Sequence, residues 1–179
     1  MIKGDRVNLI PLREEDVEMI RQWRNKNKDH FYDANEISID KQKAWYEKYR
    51  ETSTDRMYVI ILKNGEKIGT MALFEINITD RTARLGRVLL LEEYRGQGYA
   101  EEAVRLLSDY GFHTMKLFKI KTDTHIDNID AIAIYARAGF KSITRPIMLL
   151  EKINPDCDWK KPLKMEDGDY NERLDIKNN

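Results

Sequence analysis

Apolar runs of strand length take turns along the chain with stretches of helical period, and that order predicts a mixed α/β domain. Val7 to Leu12 reads as a short strand, with Val7, Leu9 and Pro11 alternating with Asn8 and Ile10. Glu14 to Asn25 follows as an amphipathic helix with Val17, Ile20 and Trp23 near one side and an acidic first turn at Glu14-Glu15-Asp16. The polar, aromatic stretch from Asn25 to Asn35 reads as a loop, and a second helix starts at Ser38 or Asp40 and runs through Trp45 and Tyr49. Met57 to Leu62 and Glu66 to Ile76 are strands joined by the hairpin turn Asn64-Gly65. Lys119 to Thr124 is a further strand, Asn128 to Ala138 a helix capped by Asn128 and stopped by Gly139, and Ile143 to Ile153 the last strand or two.

The pattern changes most sharply between Ala83 and Gly111. Arg84 to Leu91 is extended and apolar, which suits a strand covered on both faces. After Arg95-Gly96-Gln97-Gly98, the residues Ala100, Ala103, Val104, Leu107 and Gly111 fall at helical spacing, opposite Glu101, Glu102, Arg105 and Asp109. A strand, a glycine turn and a helix start in that order make an anion cradle. The first amides of a helix lack partners, its dipole is positive there, and glycine lets a phosphate lie on the main chain. Arg95 adds a fixed positive charge beside the spot. A P-loop would need Gly-Lys-Ser/Thr, which is absent, and a dinucleotide fingerprint would put its third small residue at Glu101. An ordinary glycine-rich strand-to-helix turn is the plain alternative.

Composition narrows the class. A chain of 179 residues is long enough for one well-cored domain and short for two. We expect one domain over residues 1–153 and a charged tail over 154–179, where Pro155, Pro162 and Asp167-Gly168 interrupt any pattern. With 31 basic and 31 acidic residues the formal net charge is zero, so no global field draws nucleic acid or an anionic membrane. Cys157 is the single cysteine, and His30, His113 and His125 are scattered, so no metal spacing and no internal disulfide are expected. No leader or apolar run of membrane length is evident, and the expected location is the cytoplasm. Trp159 and Leu163 could dock the tail on a neighbouring subunit to give a homodimer; a disordered tail fits the composition equally well.

The segment Arg95-Gly96-Gln97-Gly98-Tyr99-Ala100 resembles the acyl-CoA pyrophosphate loop of the GNAT superfamily of N-acetyltransferases, whose pattern is Arg or Gln, two residues, Gly, one residue, Gly or Ala. Downstream, Asn128, Ala131, Tyr135, Gly139 and Phe140 match that family's next helix in order and separation, and the resemblance extends over about residues 6 to 153. It implies an α/β fold with a central, mixed, largely antiparallel twisted sheet of six to seven strands, a splayed parallel pair within it, and about four flanking helices. It also implies acetyl-CoA as cofactor, an acetyl-CoA-dependent N-acetyltransferase activity, and a small-molecule amine as substrate. The cofactor contacts implied are the loop residues, Asn128, Ala131, Tyr135, and the main chain around Val88, Leu89 and Leu90, which would pair with the pantetheine arm.

Tyr135 is by the same resemblance the general acid. Its chemistry suits the task, since a phenol of pKa about 10 can protonate a departing thiolate whose thiol titrates near about 8.5. A core tyrosine at helical spacing is the alternative from periodicity alone. Many relatives carry a glutamate as base in an Ala-Glu-x-Gly-like context, but here that stretch is Ala83-Arg84-Leu85-Gly86. Glu75 is the remaining strand carboxylate, a weak base candidate if burial raises its pKa and otherwise a solvated residue. Trp23, Arg24, Phe31, Tyr32 and Arg84 lie where the family builds its acceptor pocket, and resemble features of amino-sugar N-acetyltransferases acting on nucleotide-linked sugars. Phe74-Glu75-Ile76-Asn77 and Asp109-Tyr110-Gly111-Phe112 resemble polyamine N-acetyltransferases instead, and the amino terminus of a ribosomal protein is a third acceptor. A non-catalytic acyl-CoA sensor is the reading from another class; Tyr135 disfavours it, since a sensor has no need of a phenol beside the thiolate.

Overall fold

A computed structural model describes residues 1–28, 33–144 and 148–156. Eight strands form one sheet in the order β1-β2-β3-β4-β5-β6-β8-β7. The strands are β1 (Ile2–Lys3), β2 (Val7–Pro11), β3 (Arg56–Leu62), β4 (Lys67–Asn77), β5 (Thr82–Leu90), β6 (Lys119–Thr124), β7 (Lys141–Thr144) and β8 (Met148–Ile153). Among the described residues four α-helices accompany them: α1 (Val17–Lys26), α2 (Ile39–Glu51), α3 (Tyr99–His113) and α4 (Ile129–Arg137). All neighbouring strands are antiparallel except β5 and β6. The expected architecture is therefore met, with one more strand than expected because the two-residue β1 pairs with β2.

Alternation along β3 and β4 sorts the helices onto two faces. Met57, Val59 and Ala72 pack with Leu12, Val17, Ile20 and Tyr46, which seats α1 and α2 on one side. Tyr58, Ile60, Met71 and Leu73 join Val104, Leu107, Tyr135 and Ala138 in the larger cluster on the other side, beneath α3 and α4. Local signals set the boundaries. Ser38 Oγ accepts from the Lys41 amide and starts α2, and Asn128 Oδ1 accepts from the Ala131 amide at 3.1 Å and starts α4. The turn at Asn64-Gly65 closes with Gly65 at φ 88°. The acidic start expected at Glu14 is a short 3-10 turn leading into α1; its Asp16 is fully buried and accepts from Lys67 Nζ at 2.5 Å.

Two features of β5 position the site. First, β5 and β6 pair only at Thr82–Lys119, Ala83–Ile120 and Arg84–Lys121, and then splay apart. Second, the β4–β5 register slips twice, and at the slips Glu75 (φ 50°) and Arg87 (φ 51°) take left-handed backbone. Such bulges re-aim side chains, and here they flank the mouth of the splay.

Candidate active site

The splay opens into a cleft of about 910 Å³ between β5, β6 and α4, with the Arg95–Gly98 turn at one end and Tyr135 on its wall. The turn is held from behind. Arg95 Nε donates to the Leu90 carbonyl at 3.0 Å and its Nη2 to Asn27 Oδ1 at 2.7 Å. Arg6 Nη1 donates to the Gln97 carbonyl at 2.8 Å, and the same guanidinium lies 5.0 Å from the centre of the Tyr99 ring. Glu102 accepts from the Arg6 and Val7 amides and from Arg6 Nε, so the first turn of α3 is tied to the start of β2. Among the described residues, the amides from Gly96 to Glu101 have no acceptor in the protein, whereas the Arg95 amide bonds the Glu92 carbonyl. Gly96 at φ 72° and Gly98 at φ 82° make this geometry, and a Cβ on Gly96 would meet open space. Bare amides at a helix start, beside a cleft this size, fit a diphosphate and the arm attached to it.

The edge of β5 continues the cleft. The Leu91 amide bonds Ile68 on β4, whereas the Leu90 carbonyl faces Arg95, so successive residues present their main-chain groups to opposite sides. That alternation turns the main chain of Val88 and Leu90 toward the cleft and that of Leu89 toward Thr70 of β4. Thr70 Oγ1 bonds the Arg87 carbonyl at 3.3 Å and steadies the bulge. Asn128, Ala131 and Tyr135 line the opposite wall. Burial raises the Tyr135 phenol above its ordinary pKa, the adjacent Thr122 hydroxyl works against the rise, and the Asp123 charge adds to it. The phenol therefore keeps its proton across neutral pH and can donate it.

Several expected residues stand elsewhere. The Tyr99 ring packs on Arg6 and Tyr94 and leaves only its amide at the cradle. Glu75 does not line the cleft. The bulge turns its side chain outward, 64% exposed, where it meets Arg84 Nη1 at 3.5 Å, so the burial that would make it a base is missing. Arg84 does line the cleft. Trp23 is half-buried and outside the cleft, and Arg24 donates to the Asp33 carbonyl. Phe31 and Tyr32 lie outside the described residues. Contacts that the sequence does not show stand on the face opposite α4. Phe74 lies under the guanidiniums of Arg84 (5.5 Å) and Arg87 (4.8 Å), Asp55 clasps Arg87 through both carboxylate oxygens (2.9 and 2.7 Å), and Asp123 contacts Arg84. Gly86 makes room for this stack, since a Cβ there would come within 2.9 Å of the Phe74 ring. No single-strand pattern carries such cross-strand partners. No cluster of metal-ligating side chains occurs among the described residues.

Comparison with known proteins fits the same frame. Residues 6–141 match the family model of the acetyltransferase (GNAT) domain. The chain belongs to the GNAT family. Acetyl-CoA is accordingly its cofactor, and its activity is acetyl-CoA-dependent N-acetyl transfer. It is 31% identical to a spermidine N(1)-acetyltransferase of Escherichia coli (strain K12), over 75% of this chain and 72% of that protein. It is 29% identical to a probable N-acetyltransferase, YjcK, of Bacillus subtilis, over 78% and 83%. In fold it superposes on a Vibrio cholerae spermidine N-acetyltransferase solved with CoA and spermine, with a TM-score of 0.77 at 21% identity, covering 84% of this chain and 96% of that one. Among the described residues, no helix is long and apolar enough to cross a membrane.

Proposed function

We propose that this enzyme acetylates a primary amine of a polyamine of the spermidine class by direct attack on the thioester. One structural observation carries the choice of acceptor. Arg84, expected to receive an anionic sugar nucleotide, and its neighbour Arg87 are already matched by protein carboxylates, Arg84 by Asp123 and Glu75 and Arg87 by Asp55. Three carboxylates around two guanidiniums leave no spare cation among these groups for a diphosphate. The spermidine acetyltransferases among its relatives favour the same reading over the amino sugar. Arg24, on α1, is likewise engaged with a main-chain carbonyl.

Acetyl-CoA supplies the thioester. The bare amides from Gly96 to Ala100 hold its diphosphate, and the outward main chain of Val88 and Leu90 aligns the arm as an added strand would. An amide on that edge polarises the thioester carbonyl, a role that needs no side chain. Asn128, its Oδ1 committed to the helix cap, offers its remaining amide group to the arm, and Ala131 leaves room beside it. Tyr135 delivers its proton to the leaving sulfur.

The deciding measurement is thiol release from acetyl-CoA against spermidine, nucleotide-linked 4-amino sugars, aminoglycosides and peptides with ribosomal-protein amino termini. The expected result is a kcat/KM for spermidine at least about tenfold above every other acceptor, a preference of about 1.4 kcal/mol. Faster turnover of a nucleotide-linked sugar would overturn the polyamine reading.

A further inference from the structure

We propose that Asp123 is the proton acceptor of the transfer, replacing the acid that Arg84 displaces from β5. The residue sits on β6 where the two parallel strands part, and it borders both the cofactor cleft and a smaller pocket of about 270 Å³ shared with Glu75 and Lys121. Ile120 of the same strand packs in the α3–α4 cluster, so alternation puts the buried Thr122 and Thr124 on that side and Asp123 on the other face, with Arg84. Tyr135 lies on the α4 side and still feels the Asp123 charge. An acid and a carboxylate thus flank the splay from opposite faces, which is the disposition direct transfer requires. One group must protonate the leaving sulfur while the other relieves the incoming nitrogen.

The balance of the step is simple. The neutral amine nitrogen bonds the acyl carbon, the carbon–sulfur bond breaks, Tyr135 gives its proton to sulfur, and the nitrogen loses its proton to an Asp123 oxygen. Arg84 aims that carboxylate, and Phe74 fixes the guanidinium from below. Among the described residues, the charged and titratable groups around Asp123 are Arg84 on β5, Glu75 on β4, Tyr135 on α4, and Lys121 and His125 two residues to either side of it. Of these, His125 also lines the cleft and is the rival acceptor.

The inference depends on N-acetyl transfer and not on the choice of polyamine, so its test is run with spermidine and with whichever acceptor of the panel the wild-type enzyme acetylates fastest. An inert spermidine defeats the substrate reading alone. Asp123→Asn should lower kcat about 100-fold, within the range of general base catalysis, with acetyl-CoA KM unchanged and partial recovery in Asp123→Glu. His125→Gln should cost kcat at least about tenfold less than Asp123→Asn does. A second readout needs no turnover. Calorimetry should give Asp123→Asn the wild-type affinity for CoA. In carboxyl-¹³C NMR of the wild-type protein with CoA bound, the signal missing from Asp123→Asn should move when the amine is added. Wild-type kcat in Asp123→Asn, a loss confined to amine KM, an unmoved carboxyl signal, or a His125→Gln variant that loses the activity instead would each overturn the assignment.

Discussion

The proposed cofactor cradle and the proposed acceptor face sit at the two ends of the same stretch of β5, yet they are made of different atoms. The cradle is main chain: bare amides from Gly96 to Glu101, shaped by two left-handed glycines and braced from outside by Arg6, Arg95 and Glu102. The acceptor face is side chain: Phe74 under two arginines, each matched by carboxylates from other strands. A main-chain site tolerates almost any side chain but few backbone changes. A side-chain site is the reverse, because each ion pair can be rebuilt from another strand. The two regions should therefore fail differently when altered, and Tyr135, between them, should fail in a third way.

Tyr135→Phe is expected to give the largest effect. The ring stays packed on Phe140, 5.7 Å between centres, so the helix and the cleft wall remain. Only the proton proposed for the leaving sulfur is removed, and kcat should fall by about 10²–10⁴. CoA affinity, read by calorimetry, should change less than about twofold. A variant with full turnover would remove the phenol from the chemistry.

The same division explains what could be read from the sequence. Gly96, Gly98 and Ala100 announce the cradle because their meaning is local: small residues at a strand-to-helix junction have few other uses. Asn128 and Gly139 mark α4 for the same reason, as cap and stop. The acceptor face was illegible because its pairs join residues far apart in the chain: Asp55 with Arg87 and Arg84 with Asp123. Glu75 misled for a related reason. Its place in an alternating strand gives no sign of the register slip that turns it to solvent. Arg6 was missed because a basic residue ahead of a first strand looks like any solvated charge, and only the fold brings it under Gln97.

Gly98→Val tests the main-chain half. The residue has φ 82°, and a Cβ there would approach Arg6 Nη2 to 3.0 Å. Left-handed backbone costs a β-carbon-bearing residue roughly 1–2 kcal/mol, and relief comes by rotating the amides that face the cleft. CoA affinity should weaken by about 30-fold, roughly 2 kcal/mol, while kcat at saturating acetyl-CoA stays near wild type. A larger loss in kcat than in affinity would show that the loop shapes the chemistry and not only the grip.

The smallest effect belongs to the brace behind the cradle. Burial opposes ionisation of Glu102, but the amides of Arg6 and Val7 and the Arg6 guanidinium outweigh it and hold the carboxyl below its usual range. Because its folded pKa is depressed, Glu102 contributes stability that is present above the unfolded value of about 4.3 and is lost as pH falls through the folded value. Glu102→Gln should therefore lower stability near pH 7 by about 1–2 kcal/mol, as loss of charge-assisted hydrogen bonds does, and flatten the decline on acidification. Chemical denaturation of both proteins between pH 7 and pH 3 measures the difference. Parallel pH curves would mean that the carboxylate charge does not hold α3 to the start of β2, and that Arg6 steadies the cradle through Gln97 alone.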